Sequence, residues 1–571
     1  MNTEDILKKL SRRKFLRNSA IAATGVALLP SFLTGCNKDD DDMFQRHGFN
    51  EGVASFDPSQ NKIIFWTRYT PPGYEQLAPV IILDVAKDRD FNNVVVSQRV
   101  QADSNSDNTV FVDVSGLTSN TKYYYRFRNE SAKGFSVTGE TKTLPAAGET
   151  TEVKMAVVSC ADYEAGLFNV YGAVAESDAD FVVHLGDYIY EYEPGRHANP
   201  FLNRIPQPPH ETITLEDYRQ RYRQYRRDDQ CQKAHQLKPF ICVWDDHEVA
   251  NEAYKDGAEN HQPNEGDFNT RKMNAIQVWH EYLPCRVSDN AKIYRNFEID
   301  NFVNLIMLDT RIIGRDKQLN YLDYATPSGL DVPQFLAAWQ NPQRTMLGQE
   351  QKSWLISKIK GSTSKWQVLG NQTLMAKTYI PVELLILTAQ LVASSRDPAL
   401  IAQYAKLLTE LVNIKKRLLQ GDPTLTDAEK ARVQNVLPFS LDSWDGYPAE
   451  REMIYAAFSG KKLISVAGDS HNAWYSVLST NKGIKAGAEF ATPSITSPGF
   501  ESILGNDPLL IAGFEQAVAL LIDDVQYVDA SRKGYVMAIF TPKVAKSEWR
   551  FVNTITSKNT ATITGKTVEV S

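Results

Sequence analysis

Between residues 48 and 144 the apolar positions fall in short runs or alternate with polar ones. Ile63-Ile64-Phe65-Trp66, Val80-Ile81-Ile82-Leu83 and Thr109-Val110-Phe111-Val112 are brief β-rich runs separated by Pro, Gly, Asn and Asp clusters. From Thr121 the alternation is strict: Thr121, Tyr123, Tyr125 and Phe127 face one way, and Lys122, Tyr124, Arg126 and Arg128 face the other. A period of two belongs to a strand with one buried face. The spacing of runs and turns predicts a small β-sandwich over residues 48–145, closed by a linker at 145–150.

Beyond the linker the texture changes. Brief, mostly apolar runs at 155–159, 181–185, 240–244, 303–308, 367–369 and 463–467 are separated by helix-patterned stretches. Near-continuous apolar strands flanked by helices mark a sheet buried on both faces, so an α/β domain is predicted over residues 151–553. Residues from about 382 to 436 read as a helical insertion in it. Tyr404, Leu407, Leu408, Leu411, Leu418 and Leu419 share one face there, and Gly421-Asp422-Pro423 stops the helix. The insertion is expected to pack on the α/β domain. A strand-like pattern returns from Tyr535, with 554–571 set apart as a C-terminal tail. A chain of 571 residues is long enough for two domains, each with its own core.

The first 36 residues read as a processing signal. Ser11-Arg12-Arg13-Lys14-Phe15-Leu16-Arg17 is a paired-arginine segment, and the apolar stretch at 20–33 is shorter than the ~20 residues that span a bilayer. The string resembles a twin-arginine signal, whose substrates meet the twin-arginine export machinery already folded. Leu33-Thr34-Gly35-Cys36 resembles a lipobox, with Cys36 lipidated and the acyl chains as membrane anchor. The alternative is a plain signal peptide with an incidental cysteine. Residues 37–47, opening Asn37-Lys38-Asp39-Asp40-Asp41-Asp42, read as an acidic tether. Together these features predict a cell-envelope lipoprotein, periplasmic or on the outer-membrane surface.

The composition, 42% hydrophobic and 23% charged, is that of a globular chain. A net charge of −7 argues against a nucleic-acid binder, which normally shows a basic face. Of the five cysteines, Cys231, Cys242 and Cys285 remain once Cys36 and Cys160 are assigned; buried free thiols are expected, one disulfide being the alternative. No feature specifies an oligomeric state.

Chemistry enters where the apolar runs end. They run into Ser159-Cys160-Ala161-Asp162, Gly186-Asp187-Tyr188-Ile189-Tyr190, Asp245-Asp246-His247-Glu248, Gly370-Asn371-Gln372 and Gly468-Asp469-Ser470-His471. In α/β folds ligands collect beyond the carboxyl ends of the strands. Segments distant in sequence are therefore expected to bring Cys160, Asp187, Tyr190, Asp245, Asp246, Asn371, Asp469 and His471 into one crevice. Burying such groups unpaired is expensive, and a cluster of cations offsets the cost. Each motif alone is a common turn or helix cap; five strand ends carrying metal-capable groups are far more specific.

These motifs resemble a known family. Gly186-Asp187-x-x-Tyr190 is similar to the Gly-Asp-x-x-Tyr signature of purple-acid-type metallophosphatases. Asp246-His247-Glu248 stands where those enzymes carry Asn-His-Glu or Asn-His-Asp, and Asp469-Ser470-His471 where they carry His-x-His. Cys160, Trp244-Asp245-Asp246-His247-Glu248 and Trp444-Asp445-Gly446-Tyr447-Pro448 resemble the PhoD-type alkaline phosphatase and phosphodiesterase branch. The resemblance spans about residues 48–553, and the helical insertion departs from it. It implies an N-terminal β-sandwich followed by a four-layer αββα metallophosphatase domain. Gly116-Leu117-Thr118 before the Tyr-rich strand resembles fibronectin-III domains, so that sandwich is expected to be fibronectin-III-like.

The same resemblance implies a centre pairing Fe(III) with Ca²⁺. Cys160, Asp187, Tyr190 and His471 suit Fe(III), because thiolate and phenolate are anionic donors. Asp187 then bridges to a second site of Asp246, Asp469 and Asn371, all oxygen ligands suited to Ca²⁺. Asp245 either supports those ligands or binds a further calcium. The implied reaction is hydrolysis of phosphate mono- or diesters by in-line attack of a metal-bound hydroxide or oxo bridge. Asp187 and His247 are the catalytic candidates: His247 contacts phosphate or protonates the leaving oxygen, or else hydrogen-bonds the metal ligands. Arg311 is expected to pair with Asp309, with reach to phosphate as the alternative, and Tyr163 and Asn169 to support the metal ligands. Rival readings are a phospholipase-D-like or wall-polymer diesterase and a non-catalytic surface binding protein. The intact ligand set counts against the last.

Overall fold

The computed structural model describes residues 48–571 apart from 71–77, 132–133, 327–328, 394–396 and 506. The signal, Cys36 and the acidic tether lie outside the described residues. Two large mixed sheets organise the chain. The nine-stranded sheet runs, edge to edge, Thr562–Val570, Ala545–Val552, Gly534–Phe540, Val153–Val158, Phe181–His184, Pro239–Cys242, Val53–Phe56, Lys62–Arg68 and Thr109–Ser115. The seven-stranded sheet runs Arg295–Ile299, Val303–Met307, Trp366–Asn371, Lys462–Ala467, Lys485–Ala491, Ala473–Ser479 and Val525–Asp529.

A mostly apolar make-up lets the central strands pack on both faces. Val157, Val183 and Ile241 of one sheet share a core with Leu305, Val368, Ile464 and Phe490 of the other. On the outer face of the second sheet, Ile306, Leu369 and Leu463 pack against Leu355 of helix Gly348–Gly361 and Ile454 of helix Pro448–Ala457. Helices Asn169–Glu176 and Asp229–Leu237 add Val170, Tyr171, Cys231 and Ala234 to the core of the first. Helix, sheet, sheet and helix thus stack in four layers. Val153–Val158, Phe181–His184 and Pro239–Cys242 are mutually parallel, as are Val303–Met307, Trp366–Asn371 and Lys462–Ala467. Their carboxyl ends therefore open at one end of each sheet.

The N-terminal region departs from a self-contained sandwich. Val53–Phe56 pairs in parallel with Pro239–Cys242, Phe56 lying opposite Phe240, so that Lys62–Arg68 and Thr109–Ser115 extend the large sheet. A separate four-stranded sheet, Val94–Gln101, Val80–Ala86, Lys122–Asn129 and Gly139–Lys142, packs over this extension. Its Leu83, Tyr123, Tyr125 and Phe127 meet Ile63, Phe65, Val110 and Val112. The sheet thus crosses the boundary expected at 145–151. At the other edge, Thr562–Val570 pairs with Ala545–Val552, so most of the expected tail is an edge strand.

The insertion forms three helices, Val382–Ala393, Pro398–Leu419 and Asp427–Gln434, joined at the base by Tyr379–Pro381 against Val436–Pro438. Tyr404, Leu408 and Leu411 are buried against Phe514 and Val518 of helix Pro508–Leu521, but Leu419 ends its helix 65% exposed. No helix among the described residues is long and apolar enough to cross a membrane.

Candidate metal centre

The turns that end the strands are conformationally demanding. Cys160, Asp187, Asp469 and His471 all take left-handed backbone angles, with φ of 63°, 52°, 59° and 61°. Each such non-glycine residue costs about 1–3 kcal/mol and persists where the surrounding fold imposes it. Gly186 makes the second turn possible: its φ is 104°, and a Cβ there would lie 2.3 Å from the Cβ of Asp245. Four candidate ligands thus sit in strained turns, a pattern that marks functional sites.

Those turns converge. Cys160, Asp187 and His471 can offer ligand atoms within 4.8 Å of one another, as can Asp187, Asp246 and His247, and Asp245, Asp246 and Asp469. Asp187 belongs to two of these trios and Asp246 to two, so the groups form one continuous centre. Tyr190 donates its hydroxyl to Asp187 Oδ2 at 2.9 Å and lies 3.2 Å from His471 Nε2. His471 Nδ1 is 2.7 Å from the Pro498 carbonyl, which can only accept. Nδ1 therefore carries the proton, and Nε2 presents a lone pair toward Asp187 and Tyr190, the tautomer a metal ligand needs. Ser497 adds a hydroxyl 2.6 Å from the Tyr190 oxygen.

The second half of the centre is built on Arg311. Its guanidinium bonds Asp245, reaches Asp442 at 2.7 Å and Asp469 at 3.0 Å, and lies 3.5 Å from Asp246. The expected ion pair with Asp309 is not what forms: Asp309 accepts the backbone N–H groups of Arg311 and Ile312 and the Trp244 indole. Its carboxylate caps the turn while the arginine side chain passes over it. Arg315 shares Asp442.

His247 lies beside Asp187 and follows Asp246 on the same turn. Its Nδ1 bonds Glu191 Oε2 at 2.6 Å, and Glu191 is itself fixed by the Asn251 backbone N–H and the Asn260 amide. Burial opposes charge on the imidazole, yet Asp187, Glu191 and Asp246 hold its pKa up to about 10. Glu248 accepts N–H groups from Asp187, Tyr188 and Asp245, locking two ligand turns together.

The electrostatics call for cations. Burial raises the Cys160 thiol well above its usual pKa, with Asp187 adding to the effect. Burial likewise raises Asp245, and Arg311 only partly opposes it. Asp187 is pulled below the usual range despite burial, chiefly through the charge of His247. Asp187 Oδ1 is buried without a hydrogen-bond partner. Four carboxylates, a thiol and a phenol meet Arg311 and His247, a donor set whose anions exceed the cations facing them. Bound metal ions fit that imbalance.

Other expected residues fall differently. Asn371 reaches the same strand ends, but its carbonyl oxygen accepts Trp444 Nε1 at 3.0 Å and its amide nitrogen has no hydrogen-bond partner. Gln372 is structural, donating to the Trp244 and Leu308 carbonyls. Asn169 donates its amide to the Thr554 and Ser557 carbonyls, and the Tyr163 ring lies under Arg204, so neither supports the centre. Cys231, Cys242 and Cys285 are free thiols. Sequence reasoning missed Glu191 and Ser497, and paired Arg311 with the wrong carboxylate.

Paired strand-end motifs on two stacked sheets, with metal-capable groups converging between them, define a metal-dependent phosphoesterase. Residues 155–549 match the PhoD-like phosphatase family and residues 35–145 its N-terminal domain, and the chain belongs to that family. Alkaline phosphatase D of Bacillus subtilis (strain 168) is 31% identical over 579 residues, covering 96% of this chain and 86% of that protein. A solved structure of PhoD superposes with a TM-score of 0.72 at 29% identity, over 92% of this chain and 91% of that one. Purple acid phosphatase PPD1 from yellow lupin (Lupinus luteus) seeds shares the fold, with a TM-score of 0.51 at 10% identity over 91% of this chain and 73% of that one. The chain is thus a phosphoric ester hydrolase of the metal-dependent kind.

Proposed function

We propose that the chain is an alkaline phosphatase with phosphodiesterase capacity, working through an Fe(III)/Ca²⁺ centre at the cell envelope. The observation that carries the metal assignment is the position of Asp187, shared between a trio with Cys160 and His471 and a trio with Asp246 and His247. Cys160, Asp187, Tyr190 and His471 would hold Fe(III), since a highly charged cation favours anionic thiolate, phenolate and carboxylate donors. Asp187, Asp246 and Asp469, with Asn371, would hold Ca²⁺ through oxygen alone. When bound, the cations supply Lewis acidity that activates water and neutralises charge on the phosphoryl oxygens.

The protein's own groups do the rest. Glu191 fixes His247 with its Nδ1 proton inward, so that Nε2 is left to hydrogen-bond the ester and to give its proton to the leaving oxygen. Arg311 holds Asp245 and Asp469 in register with each other. Glu248 fixes the turn carrying Asp187 against the turn carrying Asp245. Positioning and electrostatics dominate because phosphoryl transfer needs little covalent help.

The location rests on sequence: the Arg12-Arg13 pair supports twin-arginine export and Cys36 supports a lipid anchor. The Gly116-Leu117-Thr118 turn and the Tyr-rich strand support a fibronectin-III-like N-terminal module. The deciding experiment is metal analysis of purified protein with assays on aryl phosphate mono- and diesters. Iron and calcium together with hydrolysis are expected, and zinc at full occupancy without either metal would overturn the assignment. Cys36→Ala is expected to release the protein from the membrane fraction.

A further inference from the structure

Ser497 touches the Tyr190 oxygen and the Cys160 backbone at once. We propose that it is a positioning residue for the metal centre, its hydroxyl being the hydrogen-bond donor to Tyr190 in the metal-loaded protein. This rests on reading Tyr190 as a ligand.

The Tyr190 oxygen has three polar neighbours: Asp187 Oδ2 at 2.9 Å, His471 Nε2 at 3.2 Å and Ser497 Oγ at 2.6 Å. In the structure the phenol still carries its proton and gives it to Asp187. As a metal ligand it would offer that oxygen as an acceptor. Asp187 is a carboxylate and has no proton to offer. His471 has spent its Nδ1 proton on the Pro498 carbonyl, which leaves Nε2 a lone pair. Ser497 is the remaining donor among these three.

The hydroxyl of Ser497 has one proton and two acceptors. It lies 2.8 Å from the Cys160 carbonyl and 2.6 Å from the Tyr190 oxygen. A phenolate is the stronger acceptor, because charge-assisted hydrogen bonds are roughly twice as strong as neutral ones. The serine is already placed to donate to Tyr190, whose oxygen is the nearer of the two acceptors. It has little freedom to do anything else. Its residue is fully buried, and its carbonyl accepts Lys533 Nζ at 2.8 Å and Ser494 Oγ at 2.6 Å. The same serine thus holds both donors, Cys160 through its backbone N–H to the Cys160 carbonyl and Tyr190 through its hydroxyl.

A donor to a phenolate lowers its basicity and raises the energy of its charge-transfer transition to Fe(III). Ser497→Ala removes the hydroxyl and leaves the fold room, whereas Ser497→Thr keeps the donor and Ser497→Cys keeps a weak one. The experiment compares visible spectra, iron content and kcat of the four purified proteins, with the melting temperature of the metal-free forms as a fold control. The Ala variant is expected to absorb at longer wavelength than wild type, with Cys intermediate and Thr unshifted. Iron affinity or kcat in Ala falls about 10- to 100-fold, the usual effect of losing a group that orients a ligand. A coloured wild type whose band stays put in both Ala and Cys overturns the role of Ser497. Should the Ala variant misfold, the Cys–Thr difference alone decides. A colourless, iron-free, active wild type overturns the ligand reading of Tyr190 itself, and this role with it.

Discussion

His247 turns its Nδ1 onto Glu191, 2.6 Å from Oε2, and lays its ring 4.2 Å, centroid to centroid, from that of Tyr190. One edge of the imidazole is thereby committed to a carboxylate and one face to a candidate ligand. Only the Nε2 edge is left for the ester. His247→Gln should lower kcat/KM by about 10²- to 10⁴-fold, the range for general acid–base groups. The loss should be greatest with alkyl esters, whose leaving oxygens need a proton, and smallest with activated aryl esters. Glu191→Gln should follow the same leaving-group trend with a smaller loss, about 10- to 100-fold. An equal loss for all esters would assign His247 to phosphate binding instead.

Arg311 is wholly buried among Asp245, Asp442 and Asp469. Arg311→Met takes the guanidinium away from Asp245 and Asp469, while Asp442 keeps Arg315, and should destabilise the fold by about 3–5 kcal/mol, as removing one partner of a buried pair does. Added calcium should recover part of the loss by supplying charge to the same acids. Urea unfolding with and without calcium measures both effects. A variant as stable as wild type would show that the cluster is neutralised by other means.

Metal removal should act in the same direction. Chelation of calcium is expected to abolish turnover while iron stays bound, with calcium restoring activity and zinc doing so poorly. Because metal binds the folded form, stability should rise by about 2.7 kcal/mol when calcium is present at a hundred times its dissociation constant. Thermal melts across a calcium titration test this. A melting temperature indifferent to calcium would count against the oxygen-rich site.

Gly186→Ala should be poorly tolerated. The new methyl would stand 2.3 Å from Asp245 Cβ on a backbone with φ of 104°. Displacement of either turn moves Asp187 or Asp245, so activity should fall at least as steeply as stability. Activity retained alongside a wild-type melting temperature would show that the two turns can separate without harm.

Acid stability should bear the mark of His184. Burial lowers its pKa from 6.5 to about 3, and its Nε2 bonds the Tyr171 hydroxyl at 2.8 Å. A histidine depressed in the folded state stabilises that state above its unfolded pKa. Below about pH 6.5 the unfolded chain takes up a proton that the folded one refuses, and stability falls by about 1.4 kcal/mol per pH unit until the folded pKa is reached. His184→Gln should flatten that part of the urea-midpoint profile between pH 6.5 and 4. An unchanged slope would mean that other groups dominate.

The strand ends were legible because an apolar run followed at once by Gly-Asp, Asp-Asp-His or Ser-Cys leaves little doubt where the strand stops and the chemistry starts. Cys160, Asp187, Asp246, Asp469 and His471 all converge in the structure. Ser497 was not legible, since it sits in Thr492-Pro493-Ser494-Ile495-Thr496-Ser497-Pro498, a polar stretch with no periodicity. Arg311 was misread because Asp309 is near in sequence, whereas its true partners come from three distant segments. Asn169 was misread for the same reason: closeness to Cys160 along the chain says nothing of the side on which its helix turns it. The Val53–Phe56 pairing with Pro239–Cys242 escaped because a four-residue strand carries too little pattern to name its neighbour. Local signals locate ligands; the groups that orient them are supplied by tertiary structure.

The antiparallel pairing of Gly534–Phe540 with Val153–Val158 bears on how the enzyme is made. The strand that delivers Cys160 has one flank completed by a segment near the other end of the chain. A ribosome must therefore release the chain as far as Phe540 before that flank can close. Metal capture becomes a late event in biogenesis, coupled to completion of the sheet rather than to the emergence of the ligands. A nascent or truncated chain would display its cysteine, aspartates and histidine on an unfinished edge, where they cannot act as one site.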